Sequence, residues 1–512
     1  MRHFCFLFLS FFLAVSFSLA QSNSLSNIDK IDFKNIQVLK NGEEIIGYSA
    51  FYKTKTEEDK SSYYQLTILD KDLNTRKTVK LSEDKSLYLL DMQYNLELMC
   101  FKFYDSNTKR VVFKLINKKG DLLATKNYSV DLYAGQLISL AIKEEVKMDP
   151  SLYPVNGVGF LNYRWVKHDK PGYEIRFYPN SLEDHSWTFR SNASSTMSEF
   201  ATLLTANKEV VVNLISIQKA GLYKETAFEV SVLKTSTGKE LSRTKISSNE
   251  FEESILNAFY DEVKKEVKLI GMYYKKGVNI LTSPSLGMVV STIGADGKVK
   301  NKRNYEWKGE IAELLPSDTL NNEDGSIYFH RIMKQDDGSI LALGESFSQV
   351  KKGISLTTKV LPSSNLGSNA QYSFDFISGN FYLFKFNSDF RLNSVELIKR
   401  KATSISLPAG AATYGMHFMS LYSNLMGGFS LNHFQYFDNS NFRFFYSRAS
   451  KENEQYFFYG MVSVEEGALK QFNNSSEINN DISAIKALPF DSTKLVLFTY
   501  KKDQKQLMFE VK

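Results

Sequence analysis

The sequence predicts an all-β protein: a β-propeller of about eight four-stranded antiparallel blades, with seven blades as the close alternative. Three observations predict this fold class. Aromatic residues make up 14% of the chain, led by 39 Phe and 28 Tyr, and such residues favour strands. Many short stretches alternate apolar and polar residues, which is the period of a strand with one buried face. A unit of strand, polar turn and strand also recurs along the chain.

The unit is clearest in YYQLTILDKDLNTRKTVKL, residues 63–81. The residues predicted to face the core before the turn are Tyr64, Leu66 and Ile68, and those predicted to face the other way are Gln65 and Thr67. After the turn, Val79 and Leu81 are predicted to face the core, and Thr78 and Lys80 are predicted to face solvent. The alternation predicts two strands joined as a hairpin.

The turn of this unit carries oxygen-bearing side chains at alternate positions, Asp70, Asp72 and Asn74. A helix-loop-helix calcium loop would have Gly at position 6 and Glu at position 12. Those positions are Thr75 and Leu81 here, and predicted strands flank the loop. Because Asp and Asn also favour turns by bonding to their own backbone, the pattern predicts a hairpin turn and no calcium site.

The strand–turn–strand unit returns six more times. The apolar residues just before the seven turns are Leu69, Ile116, Tyr178, Leu233, Ile293, Phe386 and Val464. A second hairpin precedes several of the units, as at Asn41-Gly42, which is a strong two-residue turn signal. The repeat is therefore about four strands in about 60 residues, as in a propeller blade. A short helix is predicted near Glu310 to Leu315, between the strands.

The chain ends with KLVLFTYKKDQKQLMFEVK, which reads as two strands of a partial eighth unit. We predict that the N-terminal segment Asn27 to Phe33 supplies the missing strand, because such closure pairs two otherwise exposed edges. The alternative fold is two packed β-sandwich domains, which the regular spacing without an obvious linker disfavours.

Residues 1–20 are predicted to be a signal peptide. Arg2 and His3 precede an apolar stretch, and Ser18-Leu19-Ala20 ends it with small residues, so Gln21 is the predicted mature start. Residues 21–512 are then a single propeller domain, with insertions near 349–378 and 407–432. Long loops on a rigid ring are where binding function tends to lie.

The mature protein is expected to be exported, either periplasmic or extracellular at the cell surface. It is not expected to be a lipoprotein, because the predicted cleavage point has no cysteine. Cys100 is then the single cysteine of the mature chain, and we interpret it as a small buried side chain on a strand. We expect no nucleic-acid partner, because the 63 basic and 57 acidic residues are interleaved, and no transmembrane segment after signal cleavage.

The chain has no recognisable catalytic motif, so the catalytic residues are unknown, and no metal ligand set or cofactor is predicted. Aromatic stretches are the best candidates for ligand binding, and FLNYRWVKHDKPGYEIRFY brings Tyr163 and Trp165 next to a predicted loop. Most other aromatic rings are expected to fill the layers between blades. His330, His417 and His433 are further candidates, since histidines near the ring axis could take part in binding or catalysis.

The chain resembles exported β-propeller-like proteins common in Bacteroidetes-type bacteria. The resemblance rests on the signal peptide, on the Phe/Tyr/Lys/Asn-rich, cysteine-poor composition and on repeats such as DDGSILALGESF. It covers most of the mature chain, implies a binding platform, an accessory subunit or an enzyme, and brings no catalytic residues.

We therefore expect a non-catalytic binding or interaction module that presents a propeller face to a protein or glycan partner at the cell envelope. The first alternative is an enzyme, a hydrolase or lyase that acts on extracellular polysaccharide. The second alternative is a structural envelope protein that self-associates and binds no ligand.

Overall fold

The structure is a computed structural model that describes most of residues 23–512. The gaps fall at 56–61, 82–85, 131–134, 137, 140–141, 143–150, 168–170, 182–186, 192–196, 220–224, 247, 279–282, 316–326, 356–370, 408–427, 439–440, 450–455, 466–467 and 478–481.

The described strands form eight antiparallel sheets, and in each sheet four strands are hydrogen-bonded side by side. This arrangement confirms the predicted eight-bladed propeller. In blades 1 to 7 the strands follow one another in chain order. Blade 8 takes its outer strand from the N-terminus, and blade 6 has an additional fifth strand.

The strand bounds for the first four blades are as follows. Blade 1 has β2 (Ile28–Asn41), β3 (Glu44–Lys55), β4 (Ser62–Asp70) and β5 (Thr75–Lys80). Blade 2 has β6 (Leu87–Tyr94), β7 (Leu98–Asp105), β8 (Arg110–Asn117) and β9 (Leu122–Ser129). Blade 3 has β10 (Leu152–Val155), β11 (Gly159–Lys167), β12 (Pro171–Pro179) and β13 (Thr188–Arg190). Blade 4 has β14 (Met197–Ala206), β15 (Val210–Lys219), β16 (Glu225–Lys234) and β17 (Glu240–Ile246).

The other four blades follow the same plan. Blade 5 has β18 (Phe251–Asp261), β19 (Glu266–Lys275), β20 (Gly287–Ile293) and β21 (Val299–Glu306), followed by the short helix α1 (Glu310–Glu313). Blade 6 has β22 (Ile327–Lys334), β23 (Ile340–Ser355), β24 (Gln371–Phe386), β25 (Leu392–Ile398) and β26 (Thr403–Leu407). Blade 7 has β27 (Leu431–Asp438), β28 (Asn441–Ala449), β29 (Tyr456–Glu465) and β30 (Ala468–Glu477). Blade 8 has β31 (Ile482–Pro489), β32 (Leu495–Lys501), β33 (Gln506–Val511) and β1 (Asn23–Leu25).

The core lies between the blades. Eight apolar clusters of buried side chains each combine residues of two neighbouring blades, so that every blade contributes to two of them. On β7, Phe101 and Phe103 pack against blade 1, while Cys100 and Tyr104 pack against blade 3. Alternate side chains of one strand therefore serve two different cores.

This packing overturns one detail of the sequence prediction. The expectation of a single buried face is wrong for β4, because Thr67 on its polar side is fully buried. The Thr67 hydroxyl lies 3.0 Å from the hydroxyl of Tyr52. A blade within a ring has a neighbour on both sides, so a polar residue on the second side must find a partner inside the protein.

The turn after β4 uses its oxygens for the backbone. The Asp70 Oδ1 atom accepts hydrogen bonds from the backbone N–H groups of Asp72, at 2.9 Å, and Asn74, at 2.8 Å. In blade 2, Asn117 Oδ1 accepts in the same way from Lys119 and Asp121, both at 2.9 Å. The predicted hairpin turn is confirmed, and the described residues contain no group of three acidic, histidine or cysteine side chains placed to hold a metal ion.

The ring is closed by the N-terminal strand, as predicted, but by an earlier segment. β1 pairs with β33 through Asn23 opposite Phe509 and Leu25 opposite Leu507. The assignment of residues 27–33 to this role is wrong, because Ile28 already begins β2, the first strand of blade 1. The Tyr500 hydroxyl donates to the carbonyl of Ile28 at 2.9 Å and so ties blade 8 to blade 1.

The insertion predicted near 349–378 begins as a continuation of a hairpin. β23 and β24 remain paired as far as Ser355 opposite Gln371, and β26 pairs alongside β24. The middle of this insertion, and residues 408–427 of the second one, lie outside the described residues. The helix predicted near Glu310 is confirmed as the single turn α1.

Cys100 is a free thiol, 1% exposed, which confirms its interpretation as a buried strand residue. Burial raises the pKa of this thiol above its usual range, so the reactive thiolate form is disfavoured. No helix in the described part of the chain is long and apolar enough to cross a membrane.

Removing the closing strand should destabilise the ring. A chain that starts at Asn27 loses the three residue pairs between β1 and β33 and leaves the outer edge of β33 unpaired. We expect its free energy of unfolding to fall by about 1–3 kcal/mol, since each lost backbone hydrogen bond is worth about 1 kcal/mol. Urea unfolding measures this, with a chain that starts at Asn23 as the control. Equal midpoints for the two chains would contradict a role for β1 in closure.

Candidate functional site

A small cavity lies at the outer part of the ring between blades 2 and 3. Its volume is about 100 Å³. Its walls come from β9, β12 and the residues around the start of β13, and the lining residues are Lys126, Asn127, Tyr128, Arg176, Tyr178, Trp187 and Thr188. Cationic and aromatic side chains therefore make up most of the lining.

Strand alternation places these side chains on facing surfaces. On β9, Lys126 and Tyr128 are half-buried while their chain neighbours are exposed. On β12, Arg176 and Tyr178 are likewise two residues apart and share one face of the sheet. The ring centroid of Tyr178 lies 5.0 Å from that of Phe113 in blade 2, so this face of β12 packs against blade 2.

Cations lie against aromatic rings on both sides of the cavity. The Arg176 guanidinium carbon lies 5.2 Å from the centroid of the Tyr128 ring, and the Lys126 Nζ atom lies 5.8 Å from that of Tyr178. Both distances are within the range of cation–π attraction. Each blade thus supplies a cation to a tyrosine of the other, which holds both cations at the cavity.

A single buried carboxylate orders the basic side of the site. Glu174 has no exposed surface, and three arginines surround it. The Nε atoms of Arg164 and Arg176 both lie 2.6 Å from Glu174 Oε1, and that of Arg190 lies 2.9 Å from Oε2. One carboxylate cannot balance three guanidinium groups, so this network has an excess of positive charge.

The electrostatics of Glu174 reflect two opposed effects. Burial raises the pKa of this carboxyl group, but the hydrogen bonds and charges of Arg164, Arg190 and Arg176 outweigh it and lower the pKa to about 2. Glu174 is therefore ionised at neutral pH and cannot donate a proton. Its role in the site is to position the arginines.

Trp187 is a fixed wall of the cavity. Its ring is stacked on Phe177, with centroids 5.7 Å apart, and its Nε1–H donates to the carbonyl of Thr235 in blade 4 at 2.6 Å. Gly238 in the same turn has φ +68°, and a Cβ atom there would lie 2.4 Å from the indole. Glycine is required at this turn both for the backbone conformation and for contact with the indole.

The two residues predicted from the sequence to bind a ligand, Tyr163 and Trp165, lie on β11, which pairs with the cavity strand β12. Tyr163 is 8% exposed and packs between blades 3 and 4, where its hydroxyl donates to Asn213 Oδ1. The backbone of Trp165 pairs with Tyr173 on β12, and its side chain lies outside the described part of the structure. Arg164, which stands between them, is the residue of this stretch that reaches the Glu174 network. Ligand binding by Tyr163 and Trp165 stays a prediction.

His330 belongs to a buried polar cluster between blades 6 and 7. Its Nε2 atom lies 2.8 Å from Glu345 Oε2, and Arg400 pairs with Oε1 of the same carboxylate. The backbone N–H of Ser430, from blade 7, also donates to Glu345 at 3.1 Å. Burial raises the pKa of Glu345, but the charge of Arg400 and the contact with His330 lower it overall. The cluster has little contact with solvent, because the side chains of His330, Arg400 and Glu345 are 5%, 5% and 0% exposed.

His433 lies on β27, the first strand of blade 7. Burial and the charges of Lys40, Lys486 and Arg331 lower its pKa to about 3, so the imidazole is neutral at physiological pH. Its Nε2 atom is buried and has no hydrogen-bond partner among the described residues. His417 lies outside the described residues, and a binding role for His417 or His433 stays a prediction.

The residues that line the cavity were missed by sequence reasoning, although the sequence carries a signal. Lys126-Asn-Tyr128 and Arg176-Phe-Tyr178 both place a cation two residues before a tyrosine. On a strand this spacing puts both side chains on one face. That these faces meet depends on the order of the blades, which the spacing alone does not give.

Comparison with known proteins gives a family and a fold. The model of a family described as "Family of unknown function (DUF6770)" matches residues 1–512. No protein of curated function matches the chain.

Several solved structures are similar in fold. The β-propeller domain of the Trilobed protease from Pyrococcus furiosus matches with 8% identity and a TM-score of 0.39, over 87% of this chain and 96% of that domain. The WD40 domain of SCAP from fission yeast matches with 8% identity and a TM-score of 0.36, over 96% of this chain and 97% of that one. A protein of unknown function from Bacteroides caccae matches with 9% identity and a TM-score of 0.26, over 67% and 94%. These likenesses concern fold alone and carry no argument about function.

Replacing Glu174 should reveal how much its carboxylate contributes to the free energy of unfolding. Glu174→Gln removes the charge that balances three arginines, and we expect a loss of about 3 kcal/mol at pH 7. Because the pKa of Glu174 is lowered from 4.5 to about 2, its contribution is present above the unfolded-state value and is lost as pH falls. The difference between wild type and variant should therefore shrink from roughly pH 5 towards pH 2.

The measurement is urea unfolding across this pH range. Glu510→Gln is the matched control, because Glu510 pairs with Lys512 on the surface at 2.7 Å and should contribute less than about 1 kcal/mol. A constant difference between wild type and Glu174→Gln at every pH would contradict the assignment.

Proposed function

The chain belongs to DUF6770, a family of unknown function, and we propose that it is a non-catalytic binding module for an acidic glycan. The supporting observation is the cavity between blades 2 and 3, in which Lys126 and Arg176 lie against the rings of Tyr128 and Tyr178. A glycan that carries carboxylate or sulfate groups has the two features such a cavity fits, a sugar ring and a negative charge.

The charge of the cavity supports an anionic ligand. A guanidinium has five N–H donors; Glu174 accepts the one at Nε of Arg176, and the Tyr178 hydroxyl accepts another. Further donors of Arg176 remain for a carboxylate or sulfate, and guanidinium groups bind such anions through paired hydrogen bonds. Since Glu174 offsets only one of its three arginines, their excess charge also attracts an anion to this part of the ring.

The size of the cavity limits how the ligand is held. A volume of about 100 Å³ is well below the roughly 300–1,000 Å³ of an enclosing small-molecule site. The cavity therefore takes one acidic group with part of its sugar ring and leaves the rest of the polymer on the surface. Such a contact is weak by itself. The overall affinity rises when several groups of one polymer are bound at the same time.

The lining favours binding over catalysis. Glycoside hydrolysis uses a pair of carboxyl groups, one of which must be able to donate a proton. Among the described residues, no carboxylate or histidine lines this cavity, and the adjacent Glu174 is buried with a lowered pKa. The described lining therefore offers no support for the hydrolase or lyase alternative.

We also propose export, to the periplasm or the cell surface of a Bacteroidetes-type bacterium, without a lipid anchor. The support is the sequence of residues 1–20, with its basic start, apolar stretch and small residues before Gln21. Expression of the full chain in such a host should yield a mature protein that begins at Gln21. Intact-mass spectrometry of the exported fraction measures this, and a chain that keeps its first 20 residues would contradict it.

Glycan binding is tested with two polymers of the same backbone, soluble polygalacturonate and its methyl ester, which lacks the charges. We expect saturable binding of polygalacturonate, weakened by salt, and at least about tenfold weaker binding of the ester. The variant with both Lys126→Gln and Arg176→Gln should lose most of the affinity, because it removes both cavity cations.

The control variant carries Lys385→Gln and Arg303→Gln, which change the net charge equally at a distance from the cavity. It should bind like the wild type. Equal loss in both variants would indicate attraction by net charge alone and contradict the site. Released oligosaccharides in the same samples would overturn the non-catalytic assignment, and absence of binding to either polymer would overturn the glycan assignment.

A further inference from the structure

A second group of cations lies around the ring axis. The first strands of neighbouring blades contact one another, and the contacting pairs are β2 with β6, β6 with β10, β14 with β18, β18 with β22, β27 with β31, and β31 with β2. These strands therefore surround the axis, where a propeller has its central channel.

Most of these first strands are bulged at an equivalent place. Their pairing to the second strand of the blade skips one residue, and the skipped residues are Leu90, Leu204, Leu256, His330, Asn432 and Ser483. A bulge re-aims the side chains that follow it. The residues immediately after the bulges of blades 6 and 7 are Arg331 and His433, so these two side chains occupy equivalent positions in neighbouring blades.

Arg331 has the properties of a side chain that projects into this channel. It is exposed to solvent, and yet burial by the surrounding protein lowers the pKa of its guanidinium. Both properties are expected for a group that touches water inside an enclosed channel. No carboxylate among the described residues pairs with it, and Tyr328, whose hydroxyl acts to raise the pKa of Arg331, is itself neutral at pH 7, so the described residues leave the charge of Arg331 unbalanced.

His433 contributes an uncharged donor or acceptor next to this cation. Its buried Nε2 atom lacks a partner among the described residues, and so does the buried Oε1 atom of Gln435 on the same strand. Buried polar atoms without a protein partner are uncommon and indicate an ordered water, an ion or a ligand. Arg331 follows the bulge of blade 6 and His433 follows that of blade 7, and the charge of Arg331 acts on the His433 imidazole.

The remaining charges near His433 are further cations, each of which has an acidic neighbour. Lys486 Nζ donates to the carbonyls of Phe33 and Ile36, both at 2.8 Å, and Asp32 acts on its charge. Lys40 Nζ lies 3.8 Å from Glu43 Oε2. Arg331 differs from both, since none of the described carboxylates compensates it. A cationic ligand would be repelled here, and water would satisfy His433 without offsetting the charge of Arg331.

We propose that the axial channel binds an oxyanion, such as a phosphate or carboxylate group, between the Arg331 guanidinium and the His433 imidazole. The anion offsets the unpaired charge of Arg331 and supplies the missing hydrogen-bond partner of His433 Nε2. This site is separate from the cavity between blades 2 and 3 and does not depend on the proposed glycan binding.

Thermal unfolding of residues 21–512 tests the site, with sodium phosphate compared to sodium chloride at equal ionic strength. We expect the Tm to rise with phosphate and to saturate, because a ligand that binds the folded state stabilises it. Sodium acetate in a parallel series distinguishes a carboxylate from a phosphate group. Equal shifts in phosphate, acetate and chloride would show ionic-strength screening alone and overturn the proposal.

Arg331→Met should abolish the phosphate-dependent rise, while its Tm without phosphate stays equal to or above that of the wild type, because an unpaired charge has been removed. Arg391→Met, at an exposed turn of the same blade, is the control and should keep the full response. The Lys126→Gln and Arg176→Gln double variant should also keep it, which separates this site from the glycan site. A full phosphate response in Arg331→Met would overturn the proposal.

Phosphorus-31 NMR of the wild-type protein tests the same site without any variant, so the result does not depend on whether a variant folds. The phosphate resonance should broaden on addition of wild-type protein and sharpen again when excess sulfate displaces the bound phosphate. An unchanged line width at millimolar phosphate, together with no rise of the Tm in acetate, would overturn the proposal.

Discussion

The structure depends on apolar packing between neighbouring blades. Each of the eight described apolar clusters combines residues of two blades, so no sheet buries a core of its own. An isolated four-stranded sheet would expose both faces, and burial of apolar surface at about 25 cal/mol per Å² is what joins the sheets into a ring. The aromatic composition follows from this arrangement, because large rings such as Phe101 and Tyr104 fill the wedge-shaped space on both sides of one strand.

Polar contacts between blades add specificity to this packing. Lys102 in blade 2 donates to Asn162 in blade 3, Tyr163 in blade 3 donates to Asn213 in blade 4, and Glu345 in blade 6 accepts from Ser430 at the edge of blade 7. A buried polar group without its partner is costly, so each contact favours one neighbour over the others. The two candidate binding sites lie where the pairing of charges is incomplete, with three arginines around Glu174 and no described carboxylate paired with Arg331.

Local chemistry accounts for the parts of the fold that the sequence predicts. The seven apolar residues before the predicted turns are all buried near the ends of the third strands of their blades. These turns could be predicted because a turn such as that of Asp70 or Asn117 forms from hydrogen bonds between neighbouring residues alone. The burial of Thr67 could not be predicted, since alternation is the same whether the second face meets water or another blade. The cavity depends on β9 and β12 meeting across two blades, and Lys126 and Arg176 stand 50 positions apart in the sequence, so only the assembled ring defines it.

The pairing of β1 with β33 has a consequence for how the chain folds. Gln506 Nε2 donates to Ser24 Oγ, and these residues are 482 positions apart. The entropy of closing so long a loop grows only logarithmically with length, but such distant contacts slow folding. During synthesis the N-terminal residues emerge first and must wait for the last residues before blade 8 is complete. Until then the ring is an open arc in which the apolar face of blade 1 that packs against blade 8 is exposed, and the nascent chain is prone to aggregation in this interval.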